Sequence, residues 1–221
     1  MQPHLVSESN VDLYVANIKS CYYQALQYPS LAEVGLSWYA TAYSQAQAIA
    51  KRFYLVSELR VCGVVAALSP NNRWERNLID AENMIRCAIA GGKPDAIKVG
   101  TYHHNRDKAW MIAKGYDAVD VLGGNKVRSF YNCLISPHHS QSVCVDAHAI
   151  NIALGRQAII ARTPTLSDSK YTLIASCYTQ ATQEINEDSL TGTVLPLQVQ
   201  ALTWTYYRVM RKIDARFSID I

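Results

Sequence analysis

Two residues of this sequence have the types and local surroundings that covalent chemistry needs. Lys126 follows a pair of glycines, Gly123 and Gly124, and Asp146 comes immediately before the stretch AHAINIALG. A lysine amine acts as a nucleophile only in its neutral form, which neighbouring groups must favour. These residue types and neighbours therefore raise two alternatives for Lys126: a surface charge beside a loop, or a nucleophile with Asp146 as its carboxylate partner.

Helix ends supply the electrostatics for such a pair. Lys126 is predicted to lie in the first turn of a helix behind Asn125 as the N-cap, and Asp146 is predicted to be the N-cap of the next helix. The positive end of a helix dipole disfavours a charged ammonium and stabilises a carboxylate. A neutral amine and an ionised carboxylate are thus both physically reasonable. The alternatives are a loop lysine that touches phosphate and an aspartate that only caps its helix.

Helices must position these residues, because helical periodicity runs through most of the chain and no segment alternates convincingly as a strand does. The apolar patterns predict helices over 9–23, 37–51, 57–68, from Trp74 to the Gly91-Gly92 pair, and over 116–122, 126–135, 171–185 and 199–213. The helix over 57–68 is predicted to be buried. The sequence therefore predicts an all-α fold in which residues 1–221 form a single unit.

Residues 116–122 and 126–135 are two predicted helices joined by Gly123-Gly124, which is a helix-hairpin-helix pattern. Backbone N–H groups at the start of a helix, together with its dipole, can hold a phosphate. The missing side chains of the glycines let a nucleic-acid backbone approach closely. Asn125 belongs to this turn, and Arg128 is a reasonable phosphate partner. The pattern indicates contact with backbone rather than with bases.

Composition excludes few functions. The chain has 221 residues, 49% of them hydrophobic, and a formal net charge of +3, which permits a nucleic-acid partner without arguing for one. Its longest apolar stretch is far shorter than a membrane helix requires, and the N-terminus lacks a signal-peptide pattern. We therefore expect a cytoplasmic protein with no membrane partner. The six cysteines show no CxxC spacing and are expected to be reduced core thiols.

Four segments, in order, resemble the helix-hairpin-helix DNA glycosylase superfamily, which includes endonuclease III and 8-oxoguanine DNA glycosylase. The stretches 67–85 and 99–113 resemble its buried helix with a polar base-pocket loop and its G-x-x-N-x-K-A-x-x-I segment. The hairpin LPGVGxK and the V-D-x-H motif are matched by Leu122, Gly123, Gly124, Lys126, Val145, Asp146 and His148. The hairpin is shorter than the family's, lacking its proline and middle valine. The resemblance covers 57–155, with helical flanks over 1–56 and 156–221.

The resemblance implies an all-α, two-lobed helix-hairpin-helix (HhH-GPD-type) glycosylase fold with a cleft between the lobes. It also implies a DNA glycosylase, bifunctional with AP lyase activity, acting as a monomer on double-stranded DNA that contains a modified base or an abasic site. Asp146 would stabilise the oxocarbenium-like centre and move protons, and Lys126 would form a Schiff base. The cysteine cluster that holds iron and sulfur in endonuclease III is absent, so neither a cofactor nor a metal is expected.

Further site residues follow from the same resemblance and from residue chemistry. Asn71 and Asn72 are expected to read a base edge, with Trp74 as a stacking wall; their alternative is a turn and a helix cap. DNA contacts are expected from His103, His104 and Arg106, whose alternative is an ordinary solvated loop. His148 is interpreted as a packing or hydrogen-bonding histidine rather than a metal ligand.

The same residues are compatible with two other functions. One is a non-catalytic helix-hairpin-helix protein that only binds DNA, and the other is a monofunctional glycosylase that uses the aspartate alone. A magnesium nuclease is disfavoured because its clustered acidic residues are missing. The C-terminal helix with Trp204 ends in Arg208, Arg211 and Lys212, which are interpreted as complementing the helix dipole.

Overall fold

All regular secondary structure in the described part of the chain is helical. The computed structural model describes residues 6–156, 163, 165–189 and 192–211, and these ranges contain helices, turns and loops but no strand. This confirms the predicted all-α class. Lys212 and Ile213, which the sequence places at the end of the last helix, lie outside the described residues.

Within those ranges the α-helices are α1 (Val11–Leu26), α2 (Pro29–Leu36), α3 (Trp38–Ala50), α4 (Glu58–Leu68), α5 (Trp74–Ile89), α6 (His103–Ala113), α7 (Ala118–Val121), α8 (Asn125–Ile135), α9 (Ala147–Ala153), α10 (Asp168–Asp188) and α11 (Pro196–Met210). Short 3-10 turns occupy Glu8–Asn10 and Pro94–Ala96.

The chain divides into two compact units. One, which we call the inserted unit, is the continuous stretch Ala40–Pro137. The other, the outer unit, combines the N-terminal residues up to Tyr39 with the residues from His138 onward. The boundary near Tyr39 falls within α3. Each unit is described below by itself.

The outer unit has a core formed by α1, α2, α9, α10 and α11. Ile18, Ile174 and Tyr178 are fully buried there. Gly35 of α2 allows α11 to come close, because a Cβ at this position would lie 2.7 Å from the Cα of Leu202. Complete burial of these helix faces stabilises the unit through the hydrophobic effect.

The inserted unit is built around α4. Every residue from Val61 to Leu68 is buried, so this helix is apolar on all sides, as its sequence predicts. Ser57 caps it by accepting a hydrogen bond from the backbone N–H of Arg60. Helices α5, α6, α7 and α8 surround α4, and these helices and the loops that precede them carry the candidate site residues of this unit.

The structure corrects two local predictions. Asn125 is not an N-cap: Gly124 is, and Asn125 is the first helical residue of α8. Glycine takes the cap because its φ is +76°, a conformation that a side chain makes unfavourable. In addition, α2 and α6 are not among the helices predicted from periodicity. The α2 helix is short and starts with Pro29 in its first turn, while α6 carries many polar residues.

Candidate active site

The glycine turn, which we define as Leu122–Gly124, lies between α7 and α8. Gly124 has no side chain to cap the first turn of α8, and a Cβ at this position would meet nothing within 4 Å. The turn is therefore open to approach from outside. Lys126 lies in the first turn of α8, as predicted, and its side chain is exposed.

Two cationic side chains lie against this turn. The Nε of Arg128 donates to the carbonyl oxygen of Leu122 at 2.7 Å. The Nζ of Lys108 is 3.1 Å from the position that a Cβ on Gly123 would occupy. In the sequence, Lys108 is the lysine of the G-x-x-N-x-K-A-x-x-I segment, which does not predict a place beside the turn. Because Lys108 and Gly123 are distant in the chain, helical periodicity gives no signal for their proximity.

Asp146 is the N-cap of α9, as predicted. Its Oδ1 accepts a hydrogen bond of 2.8 Å from the backbone N–H of Ala149, and its side chain is half-buried. This hydrogen bond satisfies one of the backbone N–H groups that the start of a helix leaves unpaired.

The second carboxylate oxygen of Asp146 also has a donor. The indole Nε1 of Trp204 donates to Oδ2 at 2.9 Å. The Trp204 ring is itself packed by Trp38, with ring centroids 6.1 Å apart, and by the guanidinium of Arg208, 4.3 Å above its centroid. The sequence gives no signal for the bond between Trp204 and Asp146, because the basic end of α11 predicts only an interaction with the helix dipole.

The residues just before Asp146 are held by Tyr171. The Tyr171 hydroxyl donates to the carbonyl of Val143 at 2.9 Å and accepts from the N–H of Val145 at 3.1 Å. A single phenol therefore fixes both sides of the peptide segment that leads into Asp146. This backbone restraint limits where the carboxylate can move.

His148 packs in the same unit as a buried side chain. Its ring centroid lies 6.3 Å from that of Trp204 and 5.5 Å from that of Tyr207. This placement agrees with the interpretation of His148 as a packing histidine. Across the residues that the structure describes, no group of three or more His, Cys, Asp or Glu side chains is arranged to hold a metal ion.

The candidate base-pocket residues lie at the start of α5 and in the loop before it. Asn71 has a φ of +57° and donates from Nδ2 to the hydroxyl of Tyr102. Asn72 donates from Nδ2 to Oδ2 of Asp80 at 3.1 Å. Trp74 donates from Nε1 to Gln45 at 2.8 Å. All three polar groups are thus engaged within the protein, and their contact with a base stays a prediction.

Asp80 joins two loops of the inserted unit. This carboxylate is fully buried and also accepts from the Nε of Arg76 at 2.6 Å and from the N–H of Gly100 at 2.8 Å. Thr101 adds a hydrogen bond from its hydroxyl to the carbonyl of Pro70. The loop that carries Asn71 and Asn72 is consequently tied to the loop before α6.

The other predicted DNA contacts, His103, His104 and Arg106, lie in the first turn of α6 rather than in a loop. His103 and His104 are exposed, and the His104 ring stacks on Tyr102 with centroids 5.7 Å apart. Arg106 pairs with Asp107 at 3.1 Å, and its side chain is only 16% exposed. The two histidines are therefore more accessible than the arginine.

The candidate residues fall into two groups. The inserted unit carries Lys126, the glycine turn and the candidate base-pocket and DNA-contact residues, whereas the outer unit carries Asp146 with Trp204, Tyr171 and His148. The fold and these residues define an all-α protein with a lysine in the helical turn that follows an open glycine turn and an aspartate held at a helix N-terminus.

Comparison with known proteins gives the family. The model of a family described as a family of unknown function, DUF7178, matches residues 1–211, and the chain belongs to that family. Neither the curated proteins nor the solved structures include a match to the chain. Among the described helices, none is long and apolar enough to cross a membrane.

Proposed function

We propose that the protein is a DNA glycosylase with AP lyase activity, which flips a modified base out of double-stranded DNA and excises it through a Schiff base on Lys126. The observation that carries the proposal is the environment of Asp146, a half-buried carboxylate with a donor on each oxygen. A carboxylate held by two donors in this way can stabilise a cationic sugar centre. The proposal includes the two-lobed helix-hairpin-helix glycosylase fold and its cleft.

DNA binding is supported by the glycine turn. The start of α8 has no side-chain cap, and Lys108 and Arg128 lie against the turn. Backbone N–H groups at such a helix start, with two cations beside them, suit a phosphate of the DNA backbone. The exposed Lys126 follows directly, so a phosphate held by the turn would bring a sugar near its amine.

The proposed chemistry uses both residues. The Nζ lone pair of Lys126 forms a bond to C1′ of the flipped nucleotide while the bond from C1′ to the base breaks. The base leaves with the electron pair of the broken bond and takes up a proton. Opening of the sugar ring gives the Schiff base, and loss of a C2′ proton then expels the 3′ phosphate and nicks the strand. Asp146 stabilises the positive charge at C1′ and carries the protons that are exchanged.

Borohydride trapping tests the lysine. The probe is a labelled duplex with one aldehydic abasic site, and reduction of a Schiff base leaves a covalent complex that is visible on a denaturing gel. We expect the wild-type protein to trap this duplex and Lys126→Ala to lose trapping. Lys114→Ala is the matched control, because Lys114 is an exposed lysine at the end of α6, and it should trap normally.

Base release tests the aspartate. We expect the wild-type protein to release base from at least one duplex in a panel of oxidised, alkylated, mismatched and hypermodified bases, and Asp146→Asn to be slower by about a hundredfold or more. Asp117→Asn is the control, because Asp117 caps α7 through a similar 2.8 Å bond to Val119. Base release without trapping would make the protein a monofunctional glycosylase. DNA binding with neither activity would make it a non-catalytic DNA-binding protein.

A further inference from the structure

We propose that Trp204 is a positioning residue for Asp146. The indole N–H of Trp204 holds the Asp146 carboxylate in the orientation that the reaction requires. This inference rests on the proposed function and names a residue in it. The hydrogen bond from Nε1 to Oδ2 is 2.9 Å long and joins residues 58 positions apart in the chain. It belongs to the same unit as the carboxylate and needs nothing from the inserted unit.

The cap alone does not fix this carboxylate. The N–H of Ala149 holds Oδ1, but a carboxylate with a single donor can still pivot about this hydrogen bond, so that Oδ2 changes position. A second donor on Oδ2 removes this freedom, and hydrogen bonds to a charged acceptor are stronger than those between neutral groups. With both oxygens engaged from different directions, the plane of the carboxylate is set.

The donor is itself held in place. The Trp204 ring packs edge-on against Trp38, at an interplanar angle of 63°, and against His148 at 70°. The guanidinium of Arg208 lies over its face at 4.3 Å, a favourable arrangement for a cation and an indole. A donor that is fixed before substrate arrives costs no reorganisation during the reaction.

The chemistry of indole suits this role. An indole N–H can only donate, so Trp204 cannot accept the proton that Asp146 has to exchange during catalysis. A hydroxyl, an imidazole or an amide in the same place could accept a hydrogen bond as well and permit a second arrangement. Tryptophan therefore orients the carboxylate without competing with it for protons.

A double-mutant cycle tests the inference with the abasic duplex as the probe and borohydride added at timed intervals. Trp204→Phe keeps an aromatic ring but removes the N–H. We expect it to slow trapping about ten- to a hundredfold in the wild-type background, since the bond goes to a charged group. In the Asp146→Asn background we expect no further slowing, because Trp204 acts through the ionised carboxylate. Affinity for a duplex with a tetrahydrofuran site should change less than about twofold.

Two further variants guard against a folding defect. Trp110→Phe makes the same substitution in α6, where Trp110 is half-buried, and should trap at the wild-type rate. Arg208→Gln leaves the indole but removes the cation above it, and should slow trapping by a smaller factor that again vanishes with Asp146→Asn. Circular dichroism spectra are expected to match wild type for both variants.

The outcomes separate the inference from the proposed function. If the wild-type protein traps and Trp204→Phe traps equally fast, Trp204 does not position Asp146. Equal slowing by Trp204→Phe in both backgrounds also overturns the inference, since the tryptophan would then act independently of the carboxylate. If the wild-type protein neither traps nor releases any base, the proposed function fails and the positioning role fails with it.

Discussion

Asp80 is a fully buried carboxylate whose three donors come from Arg76, Asn72 and the backbone of Gly100. It contrasts with Asp146, which is half-buried and is held by two donors. Burial of a carboxylate is costly unless donors surround it. We therefore assign Asp80 to the stability of two loops, whereas the role proposed for Asp146 is a chemical one.

The role of Asp80 leads to a prediction about stability. Asp80→Asn replaces one accepting oxygen by an N–H₂ group that faces existing donors, and should lower the free energy of unfolding by about 2 to 3 kcal/mol. Urea denaturation followed by circular dichroism measures the loss. The control is Asp107→Asn, since Asp107 is 57% exposed, and it should change stability by less than about 0.5 kcal/mol. A loss below about 1 kcal/mol for Asp80→Asn would contradict this assignment.

The buried cysteines give a second prediction at this scale. Burial raises the pKa of the Cys62 thiol from 9.0 to about 12 and that of Cys177 to about 11. Because the thiolate is the reactive form, the folded protein at about pH 8 should leave both unmodified by iodoacetamide, while half-buried Cys87 reacts. Mass spectrometry of digests before and after unfolding in urea gives the measurement.

The same pKa shifts set the direction of the pH dependence. The unfolded chain loses these thiol protons near pH 9, whereas the folded protein keeps them until about pH 11 to 12. Their contribution to stability is complete below pH 9 and is lost as the pH rises through the folded pKa values. The free energy of unfolding should therefore fall between about pH 9 and about pH 11. An increase over this range would contradict the assignment of Cys62 and Cys177 as buried neutral thiols.

At the scale of elements, alanine substitutions at two glycines distinguish the effect of backbone strain from an effect on DNA binding. Gly124 and Gly91 have similar positive φ angles, +76° and +73°, and a Cβ would meet nothing within 4 Å at either. Alanine at either position should cost about 1 kcal/mol or slightly more through backbone strain alone. Only Gly124→Ala should also weaken binding to an abasic duplex, because only that substitution places a methyl group where DNA is proposed to approach.

Fluorescence anisotropy with a labelled duplex measures this binding, and thermal unfolding measures the strain. Equal affinity of the two glycine variants for DNA would remove the glycine turn from the proposed interface. Equal loss of stability with unequal affinity is the expected pattern.

The helices show how far the sequence predicts the fold. Periodic apolar patterns identify α1, α4, α5, α8 and α10 because they depend on spacing within one helix. Asp146 as the cap of α9 is likewise a local feature, since its bond spans three residues. The contact of Trp204 with Asp146 spans 58 positions, and no pattern within either segment encodes a pairing of that length. Identifying Gly124 as the cap of α8 required its positive φ, because a glycine in the sequence only suggests such an angle.

At the scale of the whole molecule, burial is uneven along the chain. Every residue of Val61–Leu68 is buried, whereas Tyr54 and Leu55, in the turn before α4, are 90% and 79% exposed. We expect native-state hydrogen exchange to be slowest in the backbone of α4 and fast in this turn, because exchange follows the local cost of opening. Mass spectrometry of peptides from a timed exchange measures both. Fast exchange in α4 would contradict its place at the centre of the inserted unit.

The division of the chain also sets the order in which the two units are completed during synthesis. Helices α1 and α2 leave the ribosome before the inserted unit, and their partners α9, α10 and α11 follow only after all of Ala40–Pro137 has been made. The inserted unit can complete its core during this interval, since domains generally fold as units during translation. Until then, α9, α10 and α11 cannot cover the apolar faces that α1 and α2 bury against them in the folded protein.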